Sequence, residues 1–394
     1  MFENAAIPLG FAWSSPFTRW QGPLASMSAL DLVVDVTERA LEARGLPAAD
    51  ASEVVLGWTI PQPGLFYGAP TVAARLGAPG VTGPMISQAC ATGVAVLLAA
   101  ALRVETSSAD ELVLALTTDR TSNSPLLVYP TDGAPGAQPT TEHWLLDAMA
   151  GDPWAGESMV TTAEIVARQS GMTRDQLDEL TQLRFDQYQA SLADDRSFQR
   201  RYMVSAEVPQ RRGAIVVDAD DGIHTTTPEG LAKLSPVEPD GVVTYGTQTH
   251  PADGAGGIVV TSVPTAQKLS NDGIARVLGI GTARAAKAEM PKAPVPAAQR
   301  ALDSAQLTID DVDLITTHNP FAVNDLYFSQ QTGFPVERMN TYGSSLIYGH
   351  AQAATGTRAI AELVEALRER GGGIGVFTGC AAGDTGAAVV LRVE

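Results

Sequence analysis

Two side chains of this sequence are placed as a nucleophile and a base would be. Cys90 follows a short apolar run and precedes an apolar helical pattern, so it lies at the start of a predicted helix. Free N–H groups and the positive end of the helix dipole favour a thiolate there, although a free cysteine is often simply a buried apolar residue. His350 follows a loop rich in glycine and serine and opens another predicted helix, where an imidazole could reach a thiol.

A second cysteine and a second histidine stand at similar places. Cys380 lies in the stretch Gly379–Asp384, whose glycines suit either close approach to a ligand or a tight turn. His318 follows the predicted strand Val312–Thr316, where it could act in catalysis or only hold the next turn. Open α/β sheets place their ligands at the carboxyl ends of strands, and all four side chains fall at such ends. We therefore expect them to share one site.

The elements that must position these residues alternate between strands and helices. The β-rich runs Glu53–Gly57, Met85–Ala89 and Glu111–Leu116 are separated by helical patterns, which predicts an α/β fold with a largely parallel sheet. The rhythm returns later in the chain, with predicted strands at 256–260, 274–280, 312–316, 374–377 and 387–393 and helices at 296–305, 321–332 and 350–370. Each half carries one cysteine just after a strand, which suggests a duplicated unit with an inserted middle region.

The middle region differs in composition from both halves. Asp119–Gly156 is rich in Pro, Gly, Ser and Thr, which predicts an excursion from the sheet, and two helices follow at about 161–170 and 174–192. Five arginines (196, 200, 201, 211 and 212) then stand against the single acid Glu207. This group is either a solvated surface loop or a patch that holds an anion.

Composition excludes several classes of protein. Among the 394 residues, 26 are Lys or Arg and 44 are Asp or Glu, and the net charge of −18 argues against broad nucleic-acid binding. Two cysteines cannot form a disulfide framework, so the expected location is the cytoplasm. The N-terminus lacks the pattern of a secretory signal, and the apolar run Gly93–Leu102 is too short to cross a membrane, which predicts a buried helix.

Competing motifs are weak or missing. Gly279-Ile280-Gly281 lacks the third glycine of a dinucleotide fingerprint, and the sequence contains no P-loop, Cys-x-x-Cys pair or Gly-x-Ser-x-Gly elbow. His143, His224 and His250 have no metal-ligand spacing, so no metal is expected.

Six segments follow one another in a recognisable order along nearly the whole chain. They are Ser15-Pro16-Phe17 with Arg19, Cys90-Ala91-Thr92-Gly93, Met159-Val160-Thr161-Thr162-Ala163-Glu164, Thr226–Leu234, Gly349-His350-Ala351-Gln352-Ala353-Ala354-Thr355-Gly356 and the turn at Cys380. They resemble, in the same order, the Arg-Thr-Pro-Phe, Cys-x-Ser-Gly and Met-Gly-x-Thr-Ala-Glu motifs, the segment leading to the CoA-binding region, the Gly-His-Pro-x-Gly-x-x-Gly motif and the final Cys-x-Gly turn of the thiolase family. A single match would be weak, whereas the ordered set is a strong resemblance.

The resemblance implies the thiolase fold, in which duplicated βαβαβαββ halves form a five-layer αβαβα arrangement with an inserted loop domain. It places 1–118 and 251–270 in the N-terminal half and 271–394 in the C-terminal half. The loop domain, 119–250, would supply CoA and substrate contacts.

The resemblance also implies an acyl-CoA C-acyltransferase, which cleaves a 3-ketoacyl-CoA with CoA or runs the reverse Claisen condensation. His350 would deprotonate Cys90, the thiolate would attack the acyl carbonyl, and Cys380 would carry the proton of the α-carbon. The backbone N–H groups of Cys90 and Ala382 would hold one oxyanion, and His350 with His318 the other. No cofactor is implied, since CoA is a co-substrate. The alternatives are a condensing enzyme or retro-aldolase acting on a bulky acyl-CoA, and a weakly catalytic acyl-CoA-binding subunit of a complex.

Some positions depart from the common family pattern. His318-Asn319-Pro320-Phe321 is closer to the His-Asp-Cys-Phe of sterol-carrier-type thiolases, and Ala382 replaces a usual glycine. Ser158 and Ile223 stand where relatives have a CoA-contacting histidine and arginine. The expected CoA contacts are Ser158, Met159, Thr249, Arg211 and Arg212. We further expect a homodimer or dimer of dimers, and a small zinc-ribbon/OB-type partner subunit that completes the CoA site.

Overall fold

The computed structural model describes residues 2–64, 66–131, 133 and 135–394. Its strands are β1 (Ala5–Pro8), β2 (Ala12–Ser14), β3 (Thr18–Arg19), β4 (Glu53–Gly57), β5 (Met85–Ile86), β6 (Leu112–Arg120), β7 (Leu126–Tyr129), β8 (Thr140–His143), β9 (Ala206–Pro209), β10 (Ala214–Val217), β11 (Ala252–Ser262), β12 (Ile274–Arg284), β13 (Leu314–His318), β14 (Gly373–Ala381) and β15 (Thr385–Val393). Its helices are α1 (Ala29–Ala43), α2 (Gly68–Arg75), α3 (Thr92–Thr106), α4 (Leu146–Ala150), α5 (Met159–Gln169), α6 (Arg174–Ser191), α7 (Ala193–Arg196), α8 (Pro228–Leu231), α9 (Val263–Leu269), α10 (Pro294–Ala305), α11 (Ala322–Thr332), α12 (Ser345–Tyr348) and α13 (Ala353–Glu369).

The predicted duplication is visible in the order of the strands. The main sheet runs β13-β14-β15-β12-β1-β11-β6-β4-β5. Starting from its centre, the first half reads β1-β11-β6-β4-β5 and the second reads β12-β15-β14-β13, so corresponding strands occupy corresponding places. The two halves join where β1 pairs antiparallel with β12.

Helices cover both halves and also fill the space between them. α1 and α2 pack on one outer face, and α10 and α11 pack on the other. α3 and α13 lie in the middle layer, where they contact each other and strands of both halves. The helices approach very closely at Gly93 and Gly356, because a Cβ on Gly93 would lie 2.7 Å from the backbone N of Thr357. These layers give the expected αβαβα order.

The helical pattern of α1 illustrates how local sequence produces an element. The Ser28 hydroxyl accepts a hydrogen bond from the Asp31 N–H at 3.0 Å, which caps the helix. Leu32, Val33 and Val36 follow at helical spacing and are buried against the first half-sheet.

The sheet is mixed, which corrects the prediction of a largely parallel one. The three strands on which that prediction rested do pair in parallel, as β4 with β5 and with β6. However, β6 pairs antiparallel with β11, and β14 pairs antiparallel with β15. The βαβ rhythm correctly marks the crossovers, whereas β15 follows β14 through a tight turn that allows only an antiparallel return.

The two cysteines occupy different places in the repeat. Cys90 precedes the middle-layer helix of its half, and the residue in the matching place before α13 is His350. Cys380 is the penultimate residue of β14, and its counterpart at the end of β6 is Asp119. The interpretation of one equivalent cysteine per half was therefore wrong, although the duplication itself is confirmed.

The middle region leaves the sheet after Arg120 and rejoins it at Ala252. It contains the short hairpins β7–β8 and β9–β10 and the helices α4 to α8. The domain bounds given above stay a prediction.

One helical stretch, residues 89–106, is long and apolar enough by composition to cross a membrane. It includes α3, which is packed in the middle layer and belongs to the largest apolar cluster. Its place in the fold is that of the predicted buried helix.

Candidate active site

A cavity of about 430 Å³ opens between the middle region and the two half-sheets. Cys90, His318, His350 and Cys380 all line it, so the structure brings together the four side chains singled out in the sequence. The remaining lining is mostly apolar and is contributed by Leu145, Leu146, Met149, Met159, Val160, Tyr245, Gln248, Thr249, Pro251, Met290, Pro320, Phe321, Gln352 and Ala382. Such a cavity suits a largely apolar ligand that is oriented by a few polar groups.

Cys90 lies in a strained turn between β5 and α3. Ala89 has φ +46°, a left-handed conformation that is uncommon for a residue with a side chain. The turn is held by Thr92, whose hydroxyl donates to the Ala89 carbonyl at 2.6 Å and accepts from the Gln88 N–H at 2.9 Å. This backbone turns the Cys90 thiol toward the cavity, where it remains partly exposed.

His350 is in hydrogen-bond contact with the thiol. Its Nε2 lies 3.1 Å from the Cys90 Sγ, and its Nδ1 lies 2.7 Å from the Thr355 hydroxyl. If Nδ1 carries the proton and donates it to Thr355, Nε2 is free to accept the thiol proton. His350 does not open α13 as predicted, because that helix begins three residues later.

The resting charges of this pair differ from the predicted thiolate. Burial raises the pKa of the Cys90 thiol, and the negative charge of Asp119 raises it further. The backbone N–H groups of Ala382 and Cys90 lower that pKa, but by less than burial raises it. Burial also lowers the pKa of His350. Both shifts favour a neutral thiol beside a neutral imidazole in the free protein.

Cys380 is 1% exposed and lies within β14 rather than after a strand. The Asn324 side chain, on α11, donates from Nδ2 to the Cys380 Sγ at 3.2 Å. Burial raises the pKa of this thiol, and the neighbouring Cys90 adds to the effect. The raised pKa favours a protonated Cys380 thiol, which faces the same cavity as the Cys90 thiol.

His318 is the last residue of β13, and its ring stacks on that of His350. The ring centroids are 4.0 Å apart with an interplanar angle of 24°. Its Nδ1 lies 2.9 Å from the Ser345 Oγ, while its buried Nε2 has no hydrogen-bond partner within the described residues. Burial lowers the pKa of His318, and the neighbouring His350 lowers it further. The Nε2 is therefore available to a ligand in the cavity.

Asp119 connects three segments around the nucleophile. Its carboxylate accepts from the N–H groups of Thr59 at 2.9 Å, Ile60 at 3.0 Å and Ala353 at 2.9 Å. Because Ala353 is the first residue of α13, Asp119 anchors the helix that follows His350. The sequence analysis missed this role because it placed Asp119 at the start of the middle region, whereas β6 extends to Arg120.

A second residue missed by sequence reasoning is Gln352, which lies between His350 and α13. It adopts φ +43° and ψ −107°, an unusual conformation for a residue with a side chain. Its Oε1 lies 3.6 Å from the Cys90 Sγ, so the strained backbone turns the amide toward the nucleophile.

The expected CoA contacts are found in different places. Met159 and Thr249 line the cavity. Ser158 caps α5, where its hydroxyl accepts from the Thr161 N–H at 3.0 Å. Arg211 and Arg212 are exposed in the turn between β9 and β10 and are not among the residues that line the cavity.

The remaining arginines of the predicted patch are engaged elsewhere. Arg196, Arg200 and Arg201 form ion pairs with Asp218, Asp195 and Glu369 respectively. Three of the five arginines are thus paired with acids: Asp195 is a near neighbour in sequence, whereas Asp218 and Glu369 lie further along the chain.

Comparison with known proteins agrees with this arrangement. The family model described as "Thiolase, N-terminal domain" matches residues 12–263, and that described as "Thiolase, C-terminal domain" matches residues 272–393. An acetyl-CoA acetyltransferase of Pseudomonas aeruginosa is 30% identical over 380 residues, covering 94% of this chain and 95% of that protein. The human mitochondrial 3-ketoacyl-CoA thiolase is 28% identical over 384 residues and covers 96% of both chains.

Solved structures resemble the whole chain. A crystal structure of human mitochondrial 3-ketoacyl-CoA thiolase superposes with a TM-score of 0.91 at 26% identity and covers 100% of both chains. A structure of that human enzyme in complex with CoA gives a TM-score of 0.89 at 26% identity, covering 100% of this chain and 98% of the other. The repeat, the cavity with its two cysteines and two histidines, and both family models lead to one conclusion: the chain belongs to the thiolase family.

Proposed function

We propose that this protein is an acyl-CoA C-acyltransferase that converts a 3-ketoacyl-CoA and CoA into acetyl-CoA, or another CoA thioester, and a shortened acyl-CoA, reversibly. The observation that carries the proposal is the Cys90 thiol, 3.1 Å from the His350 Nε2 in an apolar cavity that Cys380 also lines. Similar proteins named acetyl-CoA acetyltransferase and 3-ketoacyl-CoA thiolase support the same reaction class.

The first half-reaction makes an acyl-enzyme. The Cys90 proton passes to the His350 Nε2 as Sγ attacks the 3-keto carbon of the substrate. The C2–C3 bond then breaks, the acyl group stays on Cys90, and the departing enolate takes a proton from the Cys380 thiol. The neutral resting pair fits this sequence because the charges form only when the substrate is in place.

The second half-reaction regenerates the thiol. An incoming CoA thiol gives its proton to the Cys380 thiolate, and its sulfur attacks the acyl-Cys90 carbonyl. The Cys90 sulfur then leaves and recovers a proton from His350, so each group returns to its starting protonation state.

Two sets of donors would stabilise the oxyanions. The backbone N–H groups of Cys90 and Ala382, which both act on the Cys90 sulfur, would hold the oxygen of the Cys90-bound acyl group. The enolate oxygen of the CoA-bound partner would accept from the Nε2–H groups of His350 and His318. For His318 this requires that the Ser345 hydroxyl turns from Asn319 to donate to Nδ1, which leaves the proton on Nε2.

The likeness to sterol-carrier-type thiolases is part of this proposal. It is supported by His318, whose imidazole stacks on that of His350. Common thiolases are expected to have an amide side chain at this position. CoA is the proposed co-substrate, with Met159 and Thr249 in contact with its apolar arm.

The proposal is tested by steady-state cleavage of 3-ketoacyl-CoA compounds of increasing chain length, with the purified chain alone and with cell extract. Peptide mass mapping after brief exposure to acyl-CoA should find the acyl group on Cys90. A Cys90→Ala variant should lose both the label and the turnover. Acylation found only at Cys380, or turnover that survives in Cys90→Ala, would contradict the mechanism.

A further inference from the structure

We propose that Cys90, His318 and His350 form an inhibitory site for Zn²⁺ or a similar thiophilic divalent cation. The binding part of this proposal is independent of the function above, and only its inhibitory consequence rests on that function.

The donor atoms are already close to the required geometry. One donor atom from each of the three residues lies within 4.8 Å of the others, and the His350 Nε2 lies 3.1 Å from the Cys90 Sγ. A tetrahedral zinc ion with bonds of about 2.0–2.3 Å keeps its ligands roughly 3.3–3.8 Å apart. Shifts on the order of 1 Å therefore suffice, together with a tilt of the nearly parallel imidazole rings so that their lone pairs converge.

The chemistry of the donor set matches zinc. A thiolate and two imidazoles are the ligands that Zn²⁺ prefers, and no hard carboxylate belongs to this cluster. The cavity leaves space for a fourth ligand, either water or the thiol of CoA. Three protein ligands with one open position is the usual form of an accessible zinc site, in contrast to a closed structural one.

The surrounding hydroxyls can fix both rings in the tautomer that binds metal. Thr355 stands 2.7 Å from the His350 Nδ1, and Ser345 stands 2.9 Å from the His318 Nδ1. Metal binding uses the His318 tautomer opposite to the one in the oxyanion role: when each Nδ1 donates to its hydroxyl, both Nε2 lone pairs face the cavity. The Ser345 hydroxyl can accept in this way because it donates its own proton to the Asn319 Oδ1 at 3.3 Å.

His318 is the residue that completes the site. Its Nε2 is buried and has no partner within the described residues, so metal binding would satisfy a polar atom that is otherwise orphaned. With an amide at position 318 only one thiol and one imidazole would remain. We therefore infer that zinc sensitivity follows the histidine at this position.

Binding would exclude catalysis. The Cys90 proton leaves to solvent as the sulfur bonds to the metal, and His350 donates its lone pair to the ion instead of taking the thiol proton. Because the acylated sulfur is a poor ligand, acylation of Cys90 and zinc binding should be mutually exclusive.

The test uses Co²⁺ as a spectroscopic probe and Zn²⁺ in calorimetric titrations of the purified chain. Wild type should bind one equivalent and show a thiolate-to-cobalt charge-transfer band. His318→Asn should bind Zn²⁺ at least about 10-fold more weakly, since even an outer-shell change at a metal site costs 10–100-fold. Cys90→Ala should lose the band. Cys380→Ser is the matched control, because it removes a thiol of the same cavity that is outside the proposed ligand set, and it should bind normally.

Inhibition is measured separately. Zn²⁺ should inhibit 3-ketoacyl-CoA cleavage reversibly, with recovery on chelation and protection by acyl-CoA. Equal zinc affinity in wild type and His318→Asn, or loss of binding in Cys380→Ser alone, would overturn the site. If the chain shows no thiolase turnover while the cobalt band and its variant dependence appear, the metal site stands and the proposed function fails. Circular dichroism of each variant shows whether it is folded, so that the loss of a metal ligand is distinguished from the loss of the fold. A folded Cys90→Ala variant that keeps the cobalt charge-transfer band would refute the site.

Discussion

At the scale of single residues, burial sets the resting state of the Cys90–His350 pair more strongly than the helix that follows. The N-terminal end of α3 and the N–H groups of Cys90 and Ala382 favour a thiolate, yet the loss of water around a sulfur that is only partly exposed to the cavity outweighs them. The 3.1 Å separation of Sγ and Nε2 suits proton transfer, and in the proposed reaction the charges appear only when the substrate is in place.

This charge state predicts the pH dependence of Cys90 alkylation. Because only the thiolate reacts and burial raises the pKa of Cys90, the iodoacetamide rate should climb roughly tenfold per pH unit from neutral pH to beyond about pH 9. The Cys380→Ser variant isolates the single thiol, and labelling is followed by mass spectrometry. A plateau near pH 7 would show that the thiolate is already formed there.

Cys380 is expected to matter far more for carbon–carbon bond cleavage than for acyl transfer, because a CoA thiolate can leave without a proton whereas the enolate carbon must receive one. Cys380→Ser should still take an acyl group from acyl-CoA while losing about 10²–10⁴-fold in carbon–carbon bond cleavage, the usual contribution of a positioned acid or base. Rapid-quench measurement of each half-reaction separates them. Equal losses in both would remove this division of labour.

His318 should contribute as an oxyanion donor. His318→Ala is expected to lower turnover by about 10²–10³, the usual cost of losing one such donor, and His318→Asn should recover part of the loss. Thermal unfolding of both variants checks that the fold is intact. Normal turnover of His318→Ala on every 3-ketoacyl-CoA tested would instead make this histidine structural.

At the scale of elements, a buried ionic cluster fixes the segment that carries His350. Arg358 on α13 is fully buried, binds both oxygens of Asp220 at 2.6 and 2.8 Å, and binds Glu362 at 3.0 Å. Its guanidinium also lies 3.6 Å from the ring centroid of Tyr348, two residues before His350. The cluster thereby ties the middle region, through Asp220, to the helix behind the active site.

Breaking this cluster should be costly. Asp220→Asn leaves the buried Arg358 with one carboxylate fewer, and we expect unfolding free energy to fall on the order of 3 kcal/mol. The matched control is Asp218→Asn, since Asp218 is 63% exposed in its pair with Arg196 and should cost less than about 1 kcal/mol. Urea denaturation compares the two, and similar losses in both variants would contradict the role given to the buried pair.

At the scale of the whole molecule, the main sheet ends in an edge that is only two residues long. β5 pairs with β4 on one side, and Met85 and Ile86 are half-buried. The side of β5 away from β4 has no partner strand within the described residues, so this edge is one place where the predicted homodimer can be examined.

Light scattering tests this expectation. The mass measured in solution should be about twice the 41.2 kDa of one chain, or four times that mass for a dimer of dimers. A monomer at every concentration would reject it.

Full turnover by the purified protein would also make the small partner subunit unnecessary, whereas stimulation by extract would support one. The cytoplasmic location stays a prediction.

The sequence by itself determined the alternation of elements, the duplication and the four side chains that the structure brings together in one cavity. These are local signals, because strand and helix periods and cap residues such as Ser28 are visible within a few neighbours. The ordered motifs extended that information to the family, which the comparisons confirmed.

Only the tertiary structure decided what depends on distant neighbours. It placed His350, and not a second cysteine, in the repeat position that matches Cys90, and it made the sheet mixed. It separated Arg211 and Arg212 from the cavity and brought Asp119 to the start of α13. The protonation of Cys90 could not be predicted from its turn, because a pKa is set by the burial and charges that the folded chain gathers around the sulfur. Some of these groups, such as Ala382 and His350, come from segments more than 200 residues away.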